Sequence, residues 1–160
     1  MNNIFFSFLK NIDGISFVKP NDEELLKFRE ISSDRLPDML TEVYTNNMPA
    51  GEFEFSDFVF YDINRLYDEN INYVAGANIF PFGFFTFASV AFDGDSICID
   101  LNDNNLPVYQ CSHEILCDET EIYDYEEHKS LEFNYDNIIK VSEKLADSFT
   151  EFINELSDDT

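Results

Sequence analysis

Between Asn78 and Ser112 the chain breaks into four short runs, NIFPFG, FTFASVAFD, SICIDL and PVYQCS, separated by Gly, Pro, Asp and Asn. Each is rich in aromatic and β-branched residues and short, so the stretch reads as successive β-strands joined by tight turns. Asp93-Gly94 is the strongest turn signal, because a type I′ hairpin needs positive φ at both central positions. The Asn and Asp residues of NDNN, residues 102–105, tolerate left-handed backbone and hydrogen-bond their own main chain. Between these turns Ile97, Ile99 and Leu101 alternate with Ser96, Cys98 and Asp100, the pattern of a half-buried strand.

Helical patterns lie on both sides of this meander. Residues 2–10 carry Ile4, Phe5, Phe8 and Leu9 on one side. Residues 22–30 follow Asn21 as a cap, with Leu25, Leu26 and Phe28 as apolar positions. In RLPDMLTEVYTNNMP, Pro37 suits a first helical turn, Leu36, Leu40, Val43 and Tyr44 form a stripe, and Asn46 and Asn47 are good stops. Asp62 caps DINRLYDEN, with Ile63, Leu66 and Tyr67 facing inwards. After the strands, Ile138, Val141, Leu145, Phe149, Phe152 and Leu156 recur every three or four residues, which predicts one long amphipathic helix over residues 135–156 with Asp136 as its N-cap. Helices before and after an antiparallel meander make an α+β fold whose helices cover one face of the sheet. Without a repeat or a Pro/Gly-rich linker, residues 1–160 are expected to form a single domain.

The charge decides which partners such a fold can meet. Thirty-three acids against nine bases leave a net charge of −24, distributed as −3 over residues 1–50, −8 over 51–100 and −13 over 101–160. That field repels nucleic-acid phosphates and anionic membrane, and it steers basic partners. It also serves simply to keep a chain with 18 Phe soluble; so large an aromatic content excludes a disordered acidic tail. Cys98, Cys111 and Cys117 are an odd number, and the first residues hold only the short apolar run from Ile4 to Leu9. A cytoplasmic protein with reduced thiols is expected, present as a monomer or weak homodimer with the aromatics of FPFGFF in the core.

Catalytic and metal motifs fit poorly. A calcium loop starting at Asp93 would place Cys98 where glycine belongs and Asn104 where a bidentate glutamate belongs; a start at Asp95 puts Asp100 and Leu106 there. Cys111, His113, Cys117 and His128 could supply zinc ligands or a Cys/His nucleophile pair, but C-x-H followed by x3-C is not a usual structural spacing. No P-loop, dinucleotide fingerprint or basic aromatic stripe is present. No catalytic residue, metal or cofactor is expected, and the chain is not read as an enzyme. What stands out is DETEIYDYEE: Asp118, Glu119, Glu121, Tyr123, Asp124, Tyr125, Glu126 and Glu127. It reads either as a solvated loop or helix face, or as a contact surface in which acids steer a basic protein and tyrosines anchor it.

In order, Leu36-Pro37 leading into a helix, Pro81-Phe82-Gly83, the hairpin DGDSICIDL ending at Asp100, Pro107-Val108-Tyr109, and Ala146, Ser148, Phe149 and Phe152 in A-x-S-F-x-x-F resemble the SUKH superfamily, the cell-wall assembly regulator-like proteins. The likeness covers residues 36–156; NNMPAG stands where the family commonly has a glycine pair, and FFTFAS where it has a glycine-rich step. The resemblance implies an α+β domain without catalytic residues. Its bacterial members are largely immunity proteins of polymorphic toxin systems, which implies a cognate toxin as partner, of a basic nuclease type. The alternative it leaves open is a non-catalytic regulatory or scaffold module that binds an endogenous basic protein.

Overall fold

The computed structural model describes residues 2–158; Met1, Asp159 and Thr160 of the expected domain lie outside them. The first part of the chain is helical, and its caps are those the sequence offers. Helix α1 (Ile4–Lys10) is capped by Asn3. After strand β1 (Phe17–Val18), α2 (Asp22–Ile31) starts with a full capping box between Asn21 and Glu24. Helix α3 (Asp38–Asn46) begins after Pro37 and stops at Asn47, and β2 (Met48–Pro49) then pairs with β1 as a small ribbon.

The main sheet follows. Strands β3 (Phe53–Phe55) and β4 (Phe58–Phe60) form a hairpin that was not among the expected strands. Helix α4 (Ile63–Ile71), capped by Asp62, and the short α5 (Gly76–Ile79) lead into β5 (Phe84–Val90), β6 (Ser96–Asp100) and β7 (Val108–Cys111). Strands β3 to β7 pair antiparallel in chain order, the expected meander. Beyond β7 come the hairpin β8 (Glu121–Asp124) and β9 (Lys129–Glu132), α6 (Tyr135–Val141), β10 (Glu143–Ala146) and α7 (Phe149–Asp158), with β10 pairing on the free edge of β7. Seven helices, among the described residues, with a six-stranded antiparallel sheet make the fold α+β.

Four local expectations are corrected. The run NIFPFG is not a strand but the end of α5 and a 3₁₀ turn over Phe80–Phe82. Pro81 cannot donate to a ladder, and Gly83 ends the turn at φ 89 with the Asn102 side chain packed beneath it, where an added Cβ would lie 2.5 Å from Nδ2. In the β5–β6 connection the left-handed residues are Phe92 and Gly94, not Asp93 and Gly94, so this is a longer turn than the two-residue type. Strand β6 is buried on both faces, not one. The expected single helix over 135–156 is two helices with β10 between them: Asn134, not Asp136, caps α6, and Ala146 and Ser148 precede α7.

Both faces of the sheet are covered, not the one expected. On one, Phe85, Phe87, Ile97, Ile99 and Val108 pack against α1, α3, α4 and α7. Phe87 sits at the centre, with ring centroids 5.1 Å from Phe149 and 5.6 Å from Phe152. On the other, Phe84, Cys98 and Cys111 meet Ile79, Leu116, Ile122 and Ile138 from α5, the chain after β7, β8 and α6. This second layer is why Asp100 is buried: its carboxylate accepts from the Asn102 N–H at 2.9 Å and the Tyr135 hydroxyl at 2.5 Å. Phe84 and Phe85 lie in the core as expected, with Phe80 and Phe82 half-buried beside it. No helix among the described residues is long and apolar enough to cross a membrane.

Candidate partner-binding surface

The acidic tract forms a hairpin because its residues alternate. In β8, Glu121 and Tyr123 point outwards while Ile122 and Asp124 point inwards, and Ile122 is fully buried in the second core. Asp124 then folds the chain back. Its Oδ1 accepts from the Glu126 N–H at 3.0 Å and the Glu127 N–H at 3.3 Å, and His128 takes the left-handed position at φ 53. Lys140 of α6 reaches Asp124 at 3.4 Å and Glu127 at 2.9 Å, while Lys129 meets Glu127 at 3.0 Å. Burial alone would resist ionisation of Asp124, but the two backbone donors and Lys140 outweigh it and hold the carboxyl below its ordinary range.

These contacts divide the eight residues singled out from the sequence. Asp124 is only 6% exposed and holds the hairpin, so it faces inwards and not towards solvent. Asp118 is exposed, but its carboxylate closes a turn on the Thr120 N–H at 2.9 Å and hydroxyl at 2.6 Å. Glu127 is exposed and bridges two lysines. Glu119, Glu121, Tyr123, Tyr125 and Glu126 face solvent. Tyr123 and Tyr125, 38% and 62% exposed, stand edge to face with ring centroids 4.8 Å apart. They line a groove of about 380 Å³ whose other walls include Ile115, Lys140 and Glu143. These three had no signal in the tract itself, since they arrive from other elements. The arrangement offers two fixed aromatic surfaces within negative charge, suited to holding an apolar or cationic side chain.

The cysteines and histidines suspected as ligands are not brought together. Cys98 and Cys111 are buried, Cys117 is exposed with its thiol on the Glu114 carbonyl, and all three are free. Burial pushes the Cys98 thiol well up, which makes it a packing residue and not a nucleophile. Among the described residues, Asp93, Asp95 and His113 bring ligand-type atoms within 4.8 Å of one another. The Asp95 Oδ1 to His113 Nδ1 distance is 2.7 Å, a hydrogen bond. Two tetrahedral ligands at ordinary zinc bond lengths stand roughly 3.3 Å apart, so this pair is closed on itself.

Compared with known proteins, the chain matches no family model, no curated protein and no solved structure.

Proposed function

We propose that this chain is a SUKH-like immunity protein that binds a cognate basic toxin domain, of nuclease type, and neutralises it by occlusion. The observation that carries the reading is the β8–β9 hairpin, which presents Tyr123 and Tyr125 as a pair among exposed Glu119, Glu121 and Glu126. Acids outside the contact accelerate encounter with a basic surface, and rigid aromatics at its centre slow dissociation. Free thiols fit a reducing compartment, and the reading places the protein in the cytoplasm of the cell it protects.

The test is kinetic. The candidate partner to be tried is the C-terminal domain encoded by the reading frame immediately upstream, and the variant reverses Glu119, Glu121 and Glu126 to Lys. Asp124 is left intact because it holds the hairpin. The wild-type association rate is expected to fall steeply with added salt, and the variant to associate more slowly with a flatter dependence. An unchanged association rate removes the hairpin as the steering surface. Capture of an endogenous basic protein in place of the toxin domain favours the regulatory reading.

A further inference from the structure

Phe92 stands in the β5–β6 connection, fully exposed, with its backbone in the left-handed region at φ 71. Neither feature helps the fold. A ring left wholly in water contributes no burial, and a bulky side chain at positive φ is strained where Asn or Gly would not be. Yet the turn that presents it is held firmly. The Ala91 N–H donates to the Asp57 carbonyl at 2.8 Å, the Gly94 N–H to the Val90 carbonyl at 2.9 Å, and Asp95 is tied to His113.

The surroundings indicate what covers the ring. Phe92 lines two open depressions of about 520 and 540 Å³ whose apolar lining includes Phe53, Phe58, Val59 and Val90. Their charged residues are Glu52, Glu54, Asp57, Asp93 and one base, Arg65. Arg65 is already paired with Glu52 at 3.1 Å and Glu69 at 2.8 Å. Phe92 therefore stands on an apolar patch whose charged rim is acidic, which a second copy at −24 would be repelled from and a basic protein attracted to. A short path of chain and one hydrogen bond joins it to the tyrosine groove, through Asp95, three residues after Phe92, and His113. His113 is clipped to the turn and Ile115 lines the groove, and two residues of chain span at most roughly 7 Å.

We infer that Phe92 is an apolar anchor for the same basic partner, inserting into a slot rimmed by Lys and Arg, and that the contact face runs from the hairpin across His113 to the β5–β6 turn. This rests on the proposed function. Phe92→Asn tests it, because Asn tolerates the left-handed backbone and removes only the ring. Two quantities are measured: the thermal midpoint of the purified variant, and its dissociation rate from the upstream-encoded domain. The midpoint is expected to stay or rise, and dissociation to quicken about tenfold or more with the association rate and its salt dependence unchanged. A lower midpoint would assign Phe92 to the fold and overturn the inference, as would an unchanged dissociation rate. If the wild-type protein does not bind the domain at all, the immunity reading falls and this inference with it; if wild type binds and the variant dissociates equally slowly, this inference alone falls.

Discussion

Asp95 and His113 lock the turn after β5 to the chain leaving β7: one carboxylate oxygen of Asp95 lies 2.7 Å from His113 Nδ1 and also accepts the His113 N–H at 3.1 Å. The Asp95 hydrogen bond is the largest influence on the imidazole and raises its pKa above the ordinary 6.5. For Asp95, burial pulls upwards, but His113 and Gln110 outweigh it and bring the carboxyl below 3.8. Stabilisation from the raised His113 is fully present below the unfolded histidine value and lost as pH rises through the folded one. Stabilisation from the lowered Asp95 is present above the unfolded aspartate value and lost as pH falls through the folded one. The pair is therefore strongest between roughly pH 4 and 6.5. The difference in thermal midpoint between wild type and His113→Gln should be largest at about pH 5.5 and smaller at about pH 8.5. A difference independent of pH would mean that packing of the ring, not its charge, holds the turn.

The side chain of Asn70 acts as a strand partner for β5. Its amide accepts from the Thr86 N–H at 2.8 Å and donates to the Thr86 and Leu66 carbonyls, both at 2.9 Å, at a register shift between Thr86 and Ala88. Asn70→Ala leaves buried backbone groups without partners. It should cost about 2 to 4 kcal/mol in denaturant titration, where each unmade buried group costs about 1 to 3 kcal/mol. A loss under about 1 kcal/mol would show that water replaces the amide.

Lys140 joins α6 to the acidic hairpin in a solvent-exposed setting, so its effect should be local. Lys140→Ala is expected to speed amide exchange at Glu126 and Glu127 while leaving global stability within about 1 kcal/mol. Protection unchanged at both amides would mean that Asp124 alone sets the turn.

Much of this architecture follows from signals that act over a few residues. Asn21 with Glu24, Asp62, and the short strands from Phe85 to Cys111 each specify their element through capping or turn chemistry. The expected helix over 135–156 failed because spacing of three to four apolar residues also accommodates a four-residue strand followed by a new helix. Strand β7 needs a partner along its free edge, and β10 supplies it through Glu143, Lys144 and Ala146. The sequence does carry a mark of that break. Ser148 and Glu151 have capping-box spacing, with the Glu151 N–H on Ser148 Oγ at 3.0 Å and the Glu151 carboxylate on the Asp147 N–H at 3.1 Å. The outward acids and tyrosines of 118–127 were readable from composition. The inward role of Asp124 was not, since it depends on the Glu126 and Glu127 N–H groups folding back onto its carboxylate and on Lys140 arriving from α6.

The tyrosine pair offers a separate test of how the groove works. Tyr123→Ala with Tyr125→Ala removes exposed area, so the fold should keep its thermal midpoint, while dissociation from the upstream-encoded domain quickens about tenfold or more. Equal dissociation rates would leave the acids as the only part of the hairpin that matters.

Co-expression with the upstream-encoded domain tests immunity most directly. The domain alone should arrest growth, wild-type protein should restore it, and the Tyr123→Ala, Tyr125→Ala variant should restore it less at equal abundance. A domain that is harmless, or one that still kills in the presence of folded wild-type protein, would contradict the immunity reading.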